Sequence, residues 1–422
     1  MSSPAAIPRA SAASVVDEQP LSRVQLSTIL LCGIVIVLDG FDTQCMGFLV
    51  PVISENLNIP LPAFGPVLSA ALLGLMIAAM ASGPIADRWG RRWVVIVSVF
   101  VFAVFALLTA RANTVNDLLL YRFLTGLGLG GAMPNAVALT SEYTPKRLQP
   151  IIVGAIFVGM PAGALIASQA ASLMIPWWGW RSVFVLGGVL PLAVAIALVK
   201  YLPESVEWKT QKARHTEMAR VPVTDLFTEG RAPGTLLLWV PFFMNLLILY
   251  FILSWLPALL RQSAMPVSAG VQAVAVFSIG GIIGILAEGH VMMAVGARAL
   301  LIVEFVLCAV LIATLASVAT SLTPMLIVTL LLGISVQGIQ AGINALAAMF
   351  YPTTVRATGI GWALGVGRIG SIAGPSLGGV LLSLQWTPKQ ILTAGIVPAL
   401  CGAVAIVLAG LLPQRANAFR AD

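Results

Sequence analysis

Residues 26–50 read LSTILLCGIVIVLDGFDTQCMGFLV, an apolar run that carries two acids, Asp39 and Asp42, at its centre. A helix that crosses a bilayer needs about 20 apolar residues, so this run is long enough to span one. A carboxylate at that depth costs at least about 3 kcal/mol, and such a cost is normally tolerated only where the charge is used. The pattern therefore predicts a membrane helix with a proton relay or an ion or substrate pathway.

The composition extends this interpretation to the whole chain. Of its 422 residues, 59% are hydrophobic and 9% are charged, and the mean hydropathy is +0.99. A soluble domain carries roughly 25% charged residues. So little charge cannot cover a water-exposed globule, and we predict an all-α, multi-pass membrane protein whose main surroundings are the lipid bilayer.

Twelve segments are apolar enough to be spans, with the longest polar stretch between the sixth and the seventh. The predicted spans are 24–51, 64–86, 93–110, 117–140, 149–174, 182–201, 235–260, 269–294, 298–318, 324–350, 356–384 and 388–412. Two six-helix bundles, 24–201 and 235–412, are thus joined by a linker at 202–234 that we expect to be partly helical. We interpret 1–23 and 413–422 as tails.

The basic residues predict the orientation. If the N-terminus is cytoplasmic, most Lys and Arg residues fall on the cytoplasmic side, as membrane proteins prefer. The opposite side then carries only Arg111, Arg181, Arg261 and Lys389. Both termini are therefore expected in the cytoplasm. The net charge of +7 follows from this topology and does not indicate binding of nucleic acid.

Residues 83–92 read GPIADRWGRR between the second and third spans. This G-x-x-x-D-R-x-G-R-R pattern resembles the signature loop of the major facilitator superfamily, which implies twelve transmembrane helices in two six-helix halves. The resemblance implies a cytoplasmic gate that latches the halves, formed by Asp87, Arg88, Arg91 and Arg92. Glu142, after the fourth span, resembles the acid that pairs with these arginines. The alternative is a basic cluster that only sets topology.

Two related motifs match less well. The loop at 289–298 reads GHVMMAVGAR and has Met293 and Ala294 where the first half has Asp and Arg, so a symmetric gate is in doubt. Residues 203–208 read PESVEW and resemble the motif that ends the sixth span in sugar and organic-acid carriers. We take this motif as support for the family and not as a site.

The fourth span begins YRFLTGLGLGG at residues 121–131 and resembles the Arg- and Gly-rich helix of proton-coupled members. Arg122 keeps its proton and needs an acidic partner inside the bundle, with Asp39 and Asp42 as candidates. The alternative is that Arg122 snorkels to the membrane surface. Asp39 and Asp42 share a helix face and cannot both ionise easily, which suits a proton carrier, although they could instead only fix packing against Arg122.

The sequence LDGFD at 38–42 also resembles the D-G-[FY]-D motif of the aromatic acid:proton symporter family. A second match runs through GINAL at 342–346, YPTTVRATG at 351–359 and GWALGVGRIGSIAGP at 361–375. The resemblance implies that Arg368 binds a substrate carboxylate with help from Asn344. The alternatives are a permanent pair of Arg368 with Glu304 or another acid, and an ordinary helix-helix hydrogen bond by Asn344. Phe41 and Trp362 are candidates to stack on an aromatic ring.

These motifs together predict a bacterial inner-membrane carrier that imports a hydroxybenzoate-like carboxylate with protons, works as a monomer and uses no cofactor or metal. One rival is a proton-driven efflux antiporter of the same fold, whose span-five motif is partly echoed by GMPAG at 159–163. A second is an intramembrane aspartyl protease, which needs a G-x-G-D motif that the sequence lacks. A third is a non-transporting nutrient sensor, which we would expect to carry a long signalling tail.

Overall fold

The computed structural model describes residues 21–214, 222–352 and 355–412, and in these ranges the chain forms helices and turns without a β-strand. Twelve long helices confirm the predicted fold class. They are α1 (Arg23–Leu57), α2 (Phe64–Trp89), α3 (Arg91–Thr109), α4 (Val115–Tyr143), α5 (Gln149–Phe157 and Gly159–Trp178), α6 (Arg181–Tyr201), α7 (Ala232–Gln262), α8 (Val267–Val295), α9 (Ala297–Val318), α10 (Leu322–Phe350), α11 (Arg356–Ser383) and α12 (Pro388–Ala394 and Ile396–Leu411).

Ten of these helices are long and apolar enough to cross a membrane by composition alone. The other two, α4 and α11, carry Arg122 and Arg368 together with many glycines, and both features lower the hydropathy. Helix ends differ from the predicted spans, since α1 continues through Pro51, beyond the predicted end at residue 51, to Leu57. Membrane helices tolerate such prolines because neighbouring groups satisfy the freed backbone.

The linker contains the helix Val206–Arg214 and the 3-10 turn Val223–Phe227. We call the side of the molecule that holds this linker the linker side, and the opposite side the far side. The predicted tails lie outside the described residues, except for residues 21–23.

Glycine pairs bring helices together in the same way in both halves. A Cβ atom at Gly126 of α4 would overlap the carbonyl oxygen of Ala71 in α2, and a Cβ atom at Gly333 of α10 would overlap that of Phe277 in α8. Small residues allow such close backbone contact in membrane helices. The two six-helix halves are therefore built on one repeated scaffold.

The halves meet mainly on the far side, where α1 packs on α7, α2 on α11 and α5 on α8. The Ser69 hydroxyl of α2 donates to the carbonyl oxygen of Ile372 at 2.9 Å and lies 2.7 Å from the Ser376 hydroxyl. Glu55 and Arg261 form an ion pair at 3.0 Å at the far ends of α1 and α7. These contacts close the far side.

The glycines indicate that the helices pack less tightly on the linker side. At several glycines of the membrane helices, an added Cβ atom would have no atom of another helix within 4 Å. All of these glycines lie in the linker-side half of their helix. They are Gly33, Gly83, Gly154, Gly289, Gly361 and Gly365. We therefore expect the central cleft between the halves to open toward this side.

Candidate functional site

Asp39 lies halfway along α1 and is buried. The hydroxyl of Thr43, one turn later, donates to its Oδ1 atom at 2.9 Å. Its Oδ2 atom is buried and has no hydrogen-bond partner among the described residues. A buried carboxylate with one free oxygen needs a proton or a cationic group to be stable there.

Arg368 lies in the middle of α11, in the other half, and attracts Asp39 electrostatically. Its Nη1 atom donates to the hydroxyl of Tyr250 in α7 at 3.3 Å. Within the described part of the chain its guanidinium makes no ion pair within 4.0 Å, although it has five N–H donors. Arg368 and Asp39 thus lie near each other across the two halves without being paired.

The structure contradicts the alternative of a permanent pair between Arg368 and Glu304. Glu304 instead lies beside Glu288 of α8, and both carboxyl groups point toward Gly338 of α10. This partner was not predictable from the spacing, since Glu288 and Glu304 are on different helices.

Asp42 and Arg122 form a closed ion pair inside the first half. The Nη1 atom of Arg122 lies 3.0 and 2.9 Å from the two carboxylate oxygens of Asp42, and its Nη2 atom donates to the Asp42 carbonyl at 3.1 Å. Both side chains are only 1% exposed. The snorkelling alternative for Arg122 is therefore wrong, and of the two candidate partners Asp42 is the one that Arg122 contacts.

Asn344 belongs to a chain of amides between α7 and α10. The Gln340 amide nitrogen lies 3.5 Å from the Asn344 oxygen, and Asn245 donates to the Gln340 oxygen at 3.0 Å. Both Asn344 and Gln340 are half-buried. The hydrogen bond of Asn344 is therefore to Gln340 of its own helix. Gln340 in turn accepts a hydrogen bond from Asn245, which connects α10 to α7.

The two aromatic candidates make packing contacts. Phe41 is buried and its ring faces Gly187 of α6, where a Cβ atom would lie 3.1 Å from the Phe41 Cε1 atom. Trp362 is 43% exposed and stacks on Trp239 at 6.2 Å between ring centroids. Their role as stacking partners for a bound ring remains a prediction.

On the linker side, Glu142 joins the predicted gate to the start of the linker. Its carboxylate pairs with Arg91 and accepts from the Ser205 hydroxyl at 2.9 and 2.8 Å and from the Val206 amide at 2.9 Å. The predicted pairing of Glu142 with a signature-loop arginine is present. All of these groups belong to the first half and the linker.

The PESVEW motif, interpreted from sequence as mere family support, is the centre of this cluster. Glu204 accepts from the Arg92 amide at 3.0 Å, and Trp208 donates its indole N–H to the Asp87 carbonyl at 2.9 Å. The Tyr143 hydroxyl donates to the Glu204 carbonyl at 2.8 Å, and burial together with the carboxylates of Glu142 and Glu204 raises its pKa. The side chains of Asp87 and Arg88 are exposed.

Sequence reasoning missed three functional candidates, namely Tyr250, Glu204 and Ser205. Tyr250 is one of few polar groups in an otherwise apolar α7, and that rarity was the available signal. The GMPAG stretch, which partly echoes an efflux motif, has a packing role here, because a Cβ atom at Gly163 would overlap the carbonyl oxygen of Val37 in α1.

Comparison with known proteins agrees with this architecture. The Major Facilitator Superfamily model matches residues 32–319. The chain is 38% identical to the 4-hydroxybenzoate transporter PcaK of Pseudomonas putida, covering 94% of this chain and 95% of that one. It is 33% identical to the gallate transporter of the same organism, with 95% of each chain covered.

Among solved structures, the crystal structure of a D-xylose-proton symporter superimposes with a TM-score of 0.75 over 92% of this chain and 98% of that one. At 15% identity this similarity concerns the fold alone. The matches of sequence, motifs and fold all cover most of the chain. The chain therefore belongs to the Major Facilitator Superfamily and, within it, to the aromatic acid:proton symporter family.

Proposed function

We propose that this carrier imports a hydroxybenzoate-like aromatic carboxylate together with protons across the bacterial inner membrane, with both termini in the cytoplasm. The observation that carries the proposal is the Arg368 guanidinium at mid-membrane, whose one hydrogen-bond partner among the described residues is Tyr250. A substrate carboxylate would supply the missing anion and can bind a planar guanidinium with two hydrogen bonds. Relatives named for 4-hydroxybenzoate and gallate support a benzoate-type cargo.

Asp39 is the proposed proton site that couples the two ligands. Ionised Asp39 attracts Arg368 and repels an anionic cargo, so it competes with the cargo for the guanidinium. Protonation removes both effects and leaves Arg368 free for the carboxylate. Because each ligand favours the binding of the other, the proton and the substrate are linked thermodynamically.

The other predicted site residues support this centre. Asp42 and Arg122 already neutralise each other, so we assign the pair to holding α1 against α4 and setting the field at Asp39. Asn344 and Gln340 offer amide groups to ring hydroxyls. The cluster of Arg91, Glu142 and the linker holds the linker side of the first half, while the exposed Asp87 and Arg88 remain free to meet the second half when the cleft closes.

Uptake by purified protein in liposomes tests the proposal. With acid outside, labelled 4-hydroxybenzoate should accumulate, and a protonophore should abolish the accumulation. Arg368→Ala should reduce uptake by tenfold or more, since breaking a buried charge contact costs about 2–5 kcal/mol and about 1.4 kcal/mol is a factor of ten. Arg111→Ala, an exposed arginine on the far side, is the matched control and should transport normally.

Asp39→Asn separates coupling from binding. This variant should lose accumulation against a gradient yet still exchange labelled for unlabelled substrate, because the neutral side chain leaves Arg368 available. Full uptake by Arg368→Ala would refute the carboxylate assignment. Accumulation driven by acid inside instead of acid outside would favour the efflux rival. The protease rival is set aside because the family to which the chain belongs consists of transporters.

A further inference from the structure

Glu288 of α8 and Glu304 of α9 form an acid pair that the proposed transport site does not use. A Cβ atom placed at Gly338 would lie 3.1 Å from Oε2 of Glu288 and 3.0 Å from Oε1 of Glu304, so these two oxygens approach the same point. The two carboxyl groups therefore lie side by side in the space next to Gly338. Glu288 is only 4% exposed.

The remaining oxygens of the pair are also buried and have no partner. Oε1 of Glu288 and Oε2 of Glu304 make no hydrogen bond within the described ranges. Oε1 of Glu288 occupies the space beside Gly342, one turn after Gly338. A Cβ atom at position 342 would overlap this oxygen. Two carboxyl groups are therefore enclosed in a space that lacks ordinary donors.

Among the described residues of α8, α9 and α10, no positively charged group contacts the pair. On α9, Arg298 is directed away and donates to the Val407 carbonyl at 3.1 Å, and Cys308 is a buried thiol. On α10, Ser335 uses its hydroxyl on the Glu304 carbonyl at 3.0 Å, and Gln337 packs against Gly281. On α8, His290 is exposed.

Two carboxylates this close and this poorly solvated repel each other strongly, and without a cation only one of them can be ionised. We propose that Glu288 and Glu304 bind one hydrogen ion between them, as a second proton site that is separate from Asp39 and lies in the linker-side halves of α8 and α9. The O–H of one carboxyl donates to the other carboxylate, and release returns the proton to water on the linker side without breaking any other bond.

The first half indicates that the fold does not require these acids. Glu288 directly precedes the first glycine of GHVMMAVGAR in α8, and Ser82 directly precedes the first glycine of GPIADRWGRR in α2. Glu304 faces Gly338 as Ser98 faces Gly131 in the first half. Serines thus stand at both equivalent positions, and the acids are an addition that calls for a ligand.

Infrared difference spectroscopy of the full-length protein in lipid nanodiscs tests the site, with a change in pH as the only probe. The wild type should show a buried carboxylic-acid band that disappears on titration with base. Glu288→Gln and Glu304→Gln should each remove that band. Asp39→Asn and the exposed control Glu229→Gln should keep it. Retention of the band in both pair variants would overturn the proposal, as would its loss in Asp39→Asn alone.

A doubly substituted protein guards against misfolding and against a metal ion as the true ligand. Glu288→Gln/Glu304→Gln keeps the volume and leaves two amides that can hydrogen-bond to each other, so it should fold and lack the band. If added sodium ions remove the wild-type band at constant pH, the site binds a cation and the proton assignment is wrong. Any effect of this site on transport depends on the proposed function. The infrared band does not depend on it, because it reports only the protonation of the two carboxyl groups. Absent uptake with a normal band therefore refutes only the transport proposal.

Discussion

The two halves share one scaffold but carry different charges. Gly90 and Gly296 occupy the equivalent tight turns, with φ angles of 95° and 84° that favour glycine. Gly126 and Gly333 make the same close contacts to the preceding helices. Backbone packing of this kind depends on small side chains and not on charge, so the shape can repeat while the chemistry diverges.

The charged groups follow no such repeat. Arg122 stands one turn before Gly126, and the residue one turn before Gly333 is Thr329. Asn245 occupies the position in α7 that is equivalent to Asp39 in α1, because it precedes Pro257 by as many residues as Asp39 precedes Pro51. A neutral amide thus stands where the first half has an acid. Proton chemistry at mid-membrane is therefore expected in the first half and substrate recognition by Arg368 in the second. The comparison teaches that asymmetric function can be placed on a symmetric fold.

The largest expected difference between the halves is in the stability contributed by Arg122 and Thr329. Arg122→Ala leaves Asp42 buried and unpaired, and breaking such a pair typically costs about 3–5 kcal/mol. Thr329→Ala removes only a hydroxyl that donates to the Met325 carbonyl, worth about 1 kcal/mol. Thermal unfolding in detergent should show a large loss for the first variant and a small one for the second.

The double variant Asp42→Asn/Arg122→Gln is the control, because it removes both charges and leaves amides that can hydrogen-bond. It should recover much of the stability that Arg122→Ala loses. Equal melting temperatures for Arg122→Ala and Thr329→Ala would mean that the ion pair does not distinguish the halves.

Much of the fold was predictable because its determinants are local. Apolar length fixes the number of helices, and the loop at 83–92 carries its acid, bases and glycines within a few residues. The pairing of Arg122 with an α1 acid was also predictable, since a cation at that depth needs an anion. Helix ends were less certain, because Pro51 can continue a helix only when its surroundings satisfy the backbone.

The contacts between distant segments were not predictable. Nothing in the spacing of the sequence joins Arg368 to Tyr250, or Glu288 to Glu304, because each pair lies on different helices. Likewise, the role of Ser205 depends on the packing of the linker against the end of α4. There the Ser205 hydroxyl donates a hydrogen bond to Glu142. Such roles follow from packing that a single sequence does not encode locally.

The shared scaffold predicts an effect of intermediate size that should be equal in both halves. Gly126→Ala and Gly333→Ala each force a Cβ atom into a carbonyl oxygen of the neighbouring helix, and overpacking of this kind costs about 1–3 kcal/mol. Gly33→Ala, where nothing lies within 4 Å, is the matched control and should be neutral or slightly stabilising. Melting temperatures that fall for one glycine and not for the other would break the proposed equivalence.

The smallest expected effect concerns the linker-side cluster, which the structure places in the first half. Glu142→Ala removes the acceptor for Arg91, the Ser205 hydroxyl and the Val206 amide, so the first turn of the linker helix should open more often. Because the cluster is partly exposed, we expect a local loss of about 1 kcal/mol, with little change in global unfolding. Hydrogen exchange of residues 205–209 measures this directly.

Met349→Ala is the matched control, since Met349 follows Gly333 in α10 at the same distance at which Glu142 follows Gly126 in α4. Met349 is exposed, and its loss should leave hydrogen exchange on the linker side unchanged. Faster exchange in Glu142→Ala alone would confirm that this cluster distinguishes the first half from the second. Equally fast exchange in both variants would mean that the linker is held by general packing against the helix ends, and the carboxylate of Glu142 would then need no special role in a gate.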